Sequence, residues 1–203
     1  MNAAGETGFM KNKTMFFAAI LTILCGAGGA RGEGWKGDAN ILIAGKHLDH
    51  DDWGETDSQG EIGLATNWQG PRWPIALAAD LLASSRDTSI SRDGFTEQKG
   101  STSELDLGAR KIWRPDPSLR PYAGGGLDLA SAEIERTGPG GRISDRDSGV
   151  GIWLDGGFMW TLSEVFNLGF DVRLSGAQVR LFGRDVAAGG LHLGLLAGYH
   201  WGG

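Results

Sequence analysis

The stretch LHLGLLAGYHW, residues 191–201, alternates without a break. Leu191, Leu193, Leu195, Ala197, Tyr199 and Trp201 share one parity, and His192, Gly194, Leu196, Gly198 and His200 share the other. A period of two belongs to a strand with one apolar face, since a helix repeats its apolar positions every three or four residues. The same pattern recurs upstream. Phe166, Leu168, Phe170, Val172 and Leu174 oppose Asn167, Gly169, Asp171 and Arg173; Val150, Ile152, Leu154, Phe158 and Trp160 oppose Gly149, Gly151, Asp155 and Gly157. Leu105, Leu107, Ala109 and Trp113 oppose Glu104, Asp106, Gly108 and Arg110, and Trp73 to Leu81 alternate against Ala76, Ala78 and Asp80. Ile62, Leu64 and Trp68 oppose Glu61, Gly63, Ala65 and Asn67, Leu127 and Leu129 oppose Gly124, Gly126 and Asp128, and residues 40–46 (NILIAGK) form a first segment of undefined phase. The chain therefore predicts eight strands.

The connections alternate in length. QGPR (69–72), PDPSL (115–119) and LSE (162–164) are short, whereas residues 47–60, 86–101 and 135–147 form long polar stretches. Residues 175–188 read as an extended hairpin turning at FGRD (182–185); the apolar parity changes from Leu174 to Val179 and Leu181, which predicts a bulge or strand end at Ser175-Gly176. Short turns at one end and long loops at the other are the plan of a bacterial outer-membrane barrel. Aromatic placement agrees: Trp68, Trp73, Trp113, Trp160 and Trp201, with Phe166 and Tyr199, lie on apolar parity beside the short turns or the carboxyl end. That is one girdle at one membrane interface. The expected fold is all-β, an eight-stranded antiparallel up-and-down transmembrane barrel with both termini periplasmic and four surface loops.

Composition fits. The 203 residues include 35 Gly and 8 Trp, with 40% hydrophobic residues. No apolar run is long enough for a spanning helix, and the glycines lack the three-residue period of collagen. Lys11 and Lys13, the apolar run at 15–24 and the small residues of CGAGGA predict a signal peptide over residues 1–30, with Met10 the better start and the barrel domain at 31–203. Cleavage after Ala30 would remove the single Cys, Cys25, so disulfides are not expected. An acidic chain with no basic run excludes nucleic acid as a partner.

The end LLAGYHW resembles the carboxy-terminal signal read by the outer-membrane assembly machinery, departing from it in the final Gly202-Gly203. Together with DVRLSGAQVRLFGRDVAAGGLHLGLLAGYHW, it makes the chain resemble the OmpA/OmpX/OmpW-like superfamily of small outer-membrane β-barrels. The resemblance implies a fold and a location but no single function, because that superfamily includes adhesins, lipid-A enzymes and small channels.

On the inward parity stand Glu61, Asp80, Glu104, Asp106, Asp128, Asp155 and Asp171, with Arg110, Arg173 and Lys46 as the bases. An eight-stranded lumen is only wide enough to be filled by side chains, so these predict a plug of paired charges, with a cation-favouring path as the alternative. His192 and His200 read as luminal filler. The loop HLDHDDWGETDSQG, with His47, Asp49, His50, Asp51, Asp52, Glu55 and Asp57, reads as a solvated acidic loop instead of a metal site. Arg86, Arg92, Arg136, Arg142, Arg146, Arg180 and Arg184 sit at the height of lipopolysaccharide phosphates. No His-x-Ser deacylase pattern and no cofactor motif occurs, and Lys111 is the ionisable exception on an apolar face, placed to snorkel past Trp113. The expected role is a non-enzymatic, monomeric structural or surface-interaction protein contacting outer-membrane lipid and lipopolysaccharide. The alternatives are a small channel or hydrophobic-ligand conduit, or a lipid-A-modifying enzyme.

Overall fold

A computed structural model describes residues 34–92, 94–114, 118–162 and 165–202; the predicted signal peptide lies outside them, as does part of two short turns. The described residues form nine strands: β1 (Lys36–His47), β2 (Ser58–Gln69), β3 (Ala76–Arg92), β4 (Phe95–Ile112), β5 (Leu119–Gly138), β6 (Gly141–Leu162), β7 (Phe166–Leu181), β8 (Arg184–Ala187) and β9 (Leu191–Trp201). Each pairs antiparallel with its neighbour, and β9 closes on β1 from Gly37↔Trp201 to His47↔Leu191. Eight strands thus make a closed ring, β9 pairing with both β1 and β7, while β8 folds back on β7 as an arm. Among the described residues no helix is long and apolar enough to cross a membrane.

The outside of the ring is apolar. Ile41, Ile43, Ile62, Leu77, Leu107, Leu127, Val150, Ile152, Leu154, Leu168, Leu174, Leu193 and Leu195 are all exposed, drawn from every strand of the ring. Water would penalise such a belt, so this is a surface built for lipid. On β6 it runs from Val150 to Trp160, ten steps of about 3.3 Å that span about 25 Å at a strand tilt near 40°.

Three expectations about the wall need correction. The stretches 86–101 and 135–147 are wall and not loop: β3 runs on to Arg92, β4 starts at Phe95, and β5 and β6 meet at Gly138↔Gly141. Polar residues extend as strand there because that part of the wall stands in water on its outer side. No bulge occurs at Ser175-Gly176 either, since β6 and β7 pair in unbroken register from Leu162↔Phe166 to Gly151↔Ala177. The parity change on β7 is a change of surroundings. Below it Leu174 faces out; above it Gln178 and Arg180 face out while Val179 and Leu181 are buried inside. The same inversion occurs on β5, from exposed Leu127 and Leu129 to buried Ala130, Ala132 and Ile134.

Those inward residues form a cap at the loop end. Leu48, Trp53, Ala130, Ala132, Ile134, Ala177, Val179, Leu181, Val186 and Ala188 pack into one apolar cluster. The β1–β2 loop supplies its centre through α1 (His50–Trp53), capped by the Asp49 side chain accepting from the Asp51 amide at 2.9 Å, and a following 3₁₀ turn (Gly54–Thr56). Arm β8 is reached by a tight turn with Phe182 at φ 50° and Gly183 at φ 76°, the left-handed pair of a two-residue hairpin.

The candidate site: a filled lumen under an apolar cap

Every charged residue expected inside is there. Lys46, Glu61, Asp80, Glu104, Asp106, Arg110, Asp128, Asp155, Asp171 and Arg173 are all buried among the inward positions of the strands. Sequence reading missed Asp38 and Arg120, which are equally buried. Asp38-x-Asn40-x-Leu42-x-Ala44-x-Lys46 was the available signal, hidden because its inward residues are of mixed polarity. The inner face is also bulkier than expected, with Leu42, Leu82, Tyr122, Trp153, Met159 and Leu196 buried in it.

Three tiers can be followed upward from the end with the short turns. In the lowest, Asp38 receives Arg120 Nη1 at 2.9 Å and the Asn167 amide at 2.8 Å, and His200 Nδ1 lies 3.0 Å away. In the middle tier, Arg110 donates to Asp155 (2.7 Å), Asn67 (3.1 Å) and Asp80, while Arg173 bridges Asp80 and Asp106 at 2.5 Å each. Both guanidinium groups lie on the Trp153 ring, at 5.2 and 5.3 Å from its centroid, so each gains a cation–π contact. Tyr122 donates to Asp171 at 2.5 Å. Gly124 makes this tier possible: a Cβ there would stand 2.4 Å from Arg110 Cγ and 2.7 Å from Asp155 Oδ1.

The upper tier centres on Lys46, whose ammonium donates to Glu104, to Thr102 at 2.8 Å and to the Ala188 carbonyl at 2.9 Å. His192 is no filler. Its Nδ1 lies 2.9 Å from Glu61 and its Nε2 3.0 Å from Ser175 Oγ. That is the connectivity of an orienting carboxylate, a base and a nucleophile, assembled from β2, β9 and β7 and so invisible to a local His-x-Ser search. Yet Ser175 Oγ also takes the Gly190 amide at 3.2 Å and lies 3.3 Å from Glu104, whose carboxylate stands 3.7 Å from His192 Nε2. The imidazole is held between two carboxylates, one position below the apolar cap. His200 likewise has a charge partner in Asp38.

Above the tiers, Trp53 is fully buried and its indole N–H donates to the Ala187 carbonyl at 2.7 Å. Asp52 accepts the Ala187 amide at 2.8 Å, and Gln98 donates to the Trp53 carbonyl at 3.2 Å. The acidic loop is therefore a stopper, not a free solvated loop. His50 and Asp57 face outward, 2.8 Å apart; the Asp57 carboxylate raises the His50 pKa, and the same bond lowers that of Asp57. Outside the stopper lies an open cavity of about 700 Å³, lined by α1, Ile90, Phe95, Gln98, Arg136 and Arg184.

The aromatic residues gather at the opposite end. Trp73, Trp113, Trp160, Phe166 and Tyr199 are exposed there, and Trp68 and Trp201 are half-buried. Trp35 joins them, edge-on to Trp73 at 5.4 Å. Lys111 reaches the Pro74 carbonyl at 2.8 Å. Of the loop arginines, Arg142 pairs with Glu135, Arg146 donates to Ser131 (3.1 Å), Arg86 to the Ser58 carbonyl (3.0 Å) and Arg136 to Gln98 (3.0 Å).

A closed ring of eight tilted strands, an apolar exterior, a polar packed interior and short turns at one end settle the architecture. The chain has the fold of the small outer-membrane β-barrels of the OmpA/OmpX/OmpW-like type. Solved structures agree. It is similar to neisserial surface protein A (TM-score 0.58, 13% identity, 84% of this chain and 98% of that one). It is also similar to OprG of Pseudomonas aeruginosa (0.55, 12%, 84% and 97%) and to Ail, the attachment invasion locus protein of Yersinia pestis (0.51, 14%, 84% and 100%). A crystal structure of Ail holds the heparin analogue sucrose octasulfate. No family model and no curated relative matches the chain.

Proposed function

We propose that this barrel is a non-enzymatic outer-membrane protein that acts through its outer rim and not through its bore. With the short turns periplasmic and the capped end outside, the belt faces bilayer lipid and the extended wall of β3–β6 stands at lipopolysaccharide height. The carrying observation is the filled lumen: paired guanidinium and carboxylate groups across the middle, and Trp53 sealing the mouth. A solute would have to displace both. Planar-bilayer recordings of the purified protein should show no discrete conductance, and steady single-channel steps would favour the channel reading.

What remains available is the rim. Arg142, Arg146 and Arg180 are exposed on the outer side of β6 and β7, above Val150 and Leu174. Guanidinium groups there suit the phosphates of lipopolysaccharide, and the sulfated ligand of the similarly folded Ail is of the same anionic kind. An Arg146→Ala/Arg180→Ala protein should fold normally yet retain less lipopolysaccharide on purification. Equal retention would overturn the contact. Exposed Tyr199 and half-buried Trp201 on the closing strand form the surface we assign to the assembly machinery, and the closed ring is consistent with a monomer.

A further inference from the structure

Among the described residues, Asp128 is the one luminal carboxylate with neither oxygen hydrogen-bonded. The register sets Asp80 opposite Asp106 and Asp106 opposite Asp128, so three carboxylates stand in a row across β3, β4 and β5. Like charges directly opposed on one face repel. Arg110 and Arg173 answer Asp80, and Arg173 answers Asp106 through Oδ2. Among the described residues no donor reaches either oxygen of Asp128, which is fully buried, and one oxygen each of its neighbours Glu104 (Oε2) and Asp106 (Oδ1), as of Asp155 and Asp171, is likewise without a hydrogen bond. Oxygens of Glu104, Asp106 and Asp128 lie within 4.8 Å of one another. Among the described residues the lumen buries eight carboxylates against Lys46, Arg110, Arg120 and Arg173.

We propose that Glu104, Asp106 and Asp128 hold a hard divalent cation of the calcium or magnesium class inside the barrel. Three carboxylates and no sulfur or imidazole in the group select an oxygen-seeking ion. Oxygens that share such an ion at about 2.4 Å can stand no further apart than about twice that distance, which the 4.8 Å spread meets. The ion would stitch β4 to β5 where the row of carboxylates otherwise forces them apart. It is independent of the rim and of any ligand there.

The experiment uses the whole purified protein, equilibrated with calcium chloride or with EDTA and then desalted. Elemental analysis should find about one calcium per barrel, and EDTA treatment should lower the thermal unfolding midpoint. Asp128→Asn should lose both effects, whereas Asp51→Asn/Asp52→Asn in the stopper loop should keep both. A wild-type barrel that holds no divalent cation, Asp106 and Asp128 sharing a proton instead, overturns the proposal. So does retention that survives Asp128→Asn and disappears with the loop pair. Should Asp128→Asn not fold, the loop variant decides alone: a retained ion supports the luminal site, and a lost one overturns it.

Discussion

Single residues carry unequal weight in this interior. Arg173 answers two carboxylates at 2.5 Å, so removing it strands buried charge. Arg173→Met should cost about 3–5 kcal/mol in urea unfolding followed by electrophoretic mobility, and adding Asp80→Asn should recover part of it. Ser175 has the partners of a nucleophile but is shared with Glu104 and lies beneath the cap. A serine-directed fluorophosphonate should therefore leave the folded protein unlabelled; a covalent adduct at Ser175 would reopen an enzymatic role. His50 offers a pH response. Its pKa is raised by Asp57, so the attraction is fully present below the ordinary histidine value of 6.5 and fades as pH rises through the raised one. Amide protection factors over residues 48–57 should fall from pH 6 to pH 9 in the native chain and stay flat in His50→Ala.

At the scale of elements, the stopper and the glycine contacts are separate devices. Trp53→Ala opens a cavity in the cap and leaves the Ala187 carbonyl without its donor, a loss of about 3–5 kcal/mol in the same assay. Gly108 and Gly126 face each other across β4 and β5, and a Cβ on either would lie 2.2 or 2.1 Å from the partner strand's carbonyl oxygen. Gly126→Val should abolish the folded, heat-shiftable species on gels. Strand number, inward charges and the aromatic end were legible because a period of two survives any tertiary detail. Asp38 and Arg120 were not, since their strands mix polarity on the inward side. The wall above the membrane was misread as loop because polarity in sequence reports the surroundings of a strand as much as its presence. Ser175, His192 and Glu61 converge from three strands, and no local spacing encodes that.

For the whole molecule, the two seals are separate, because Trp53 is hydrogen-bonded to Ala187, Thr56 and Gln98 and, among the described residues, shares no hydrogen bond or ion pair with the salt-bridged middle tier. Trp53→Ala should thus remain silent in bilayer recordings despite its lower stability; steady conductance would mean that the stopper alone closes the bore. The inversion of polarity along β5 and β7 has a different consequence. The chain carries its own waterline, written between Leu129 and Ala130 on one strand and between Leu174 and Ala177 on another. Sinking deeper would drag Arg146 and Arg180 into hydrocarbon, at up to about 2–4 kcal/mol for each at the midplane. Rising would wet the belt. In a bilayer thicker than its belt, this protein should thin the surrounding lipid or tilt before it changes depth.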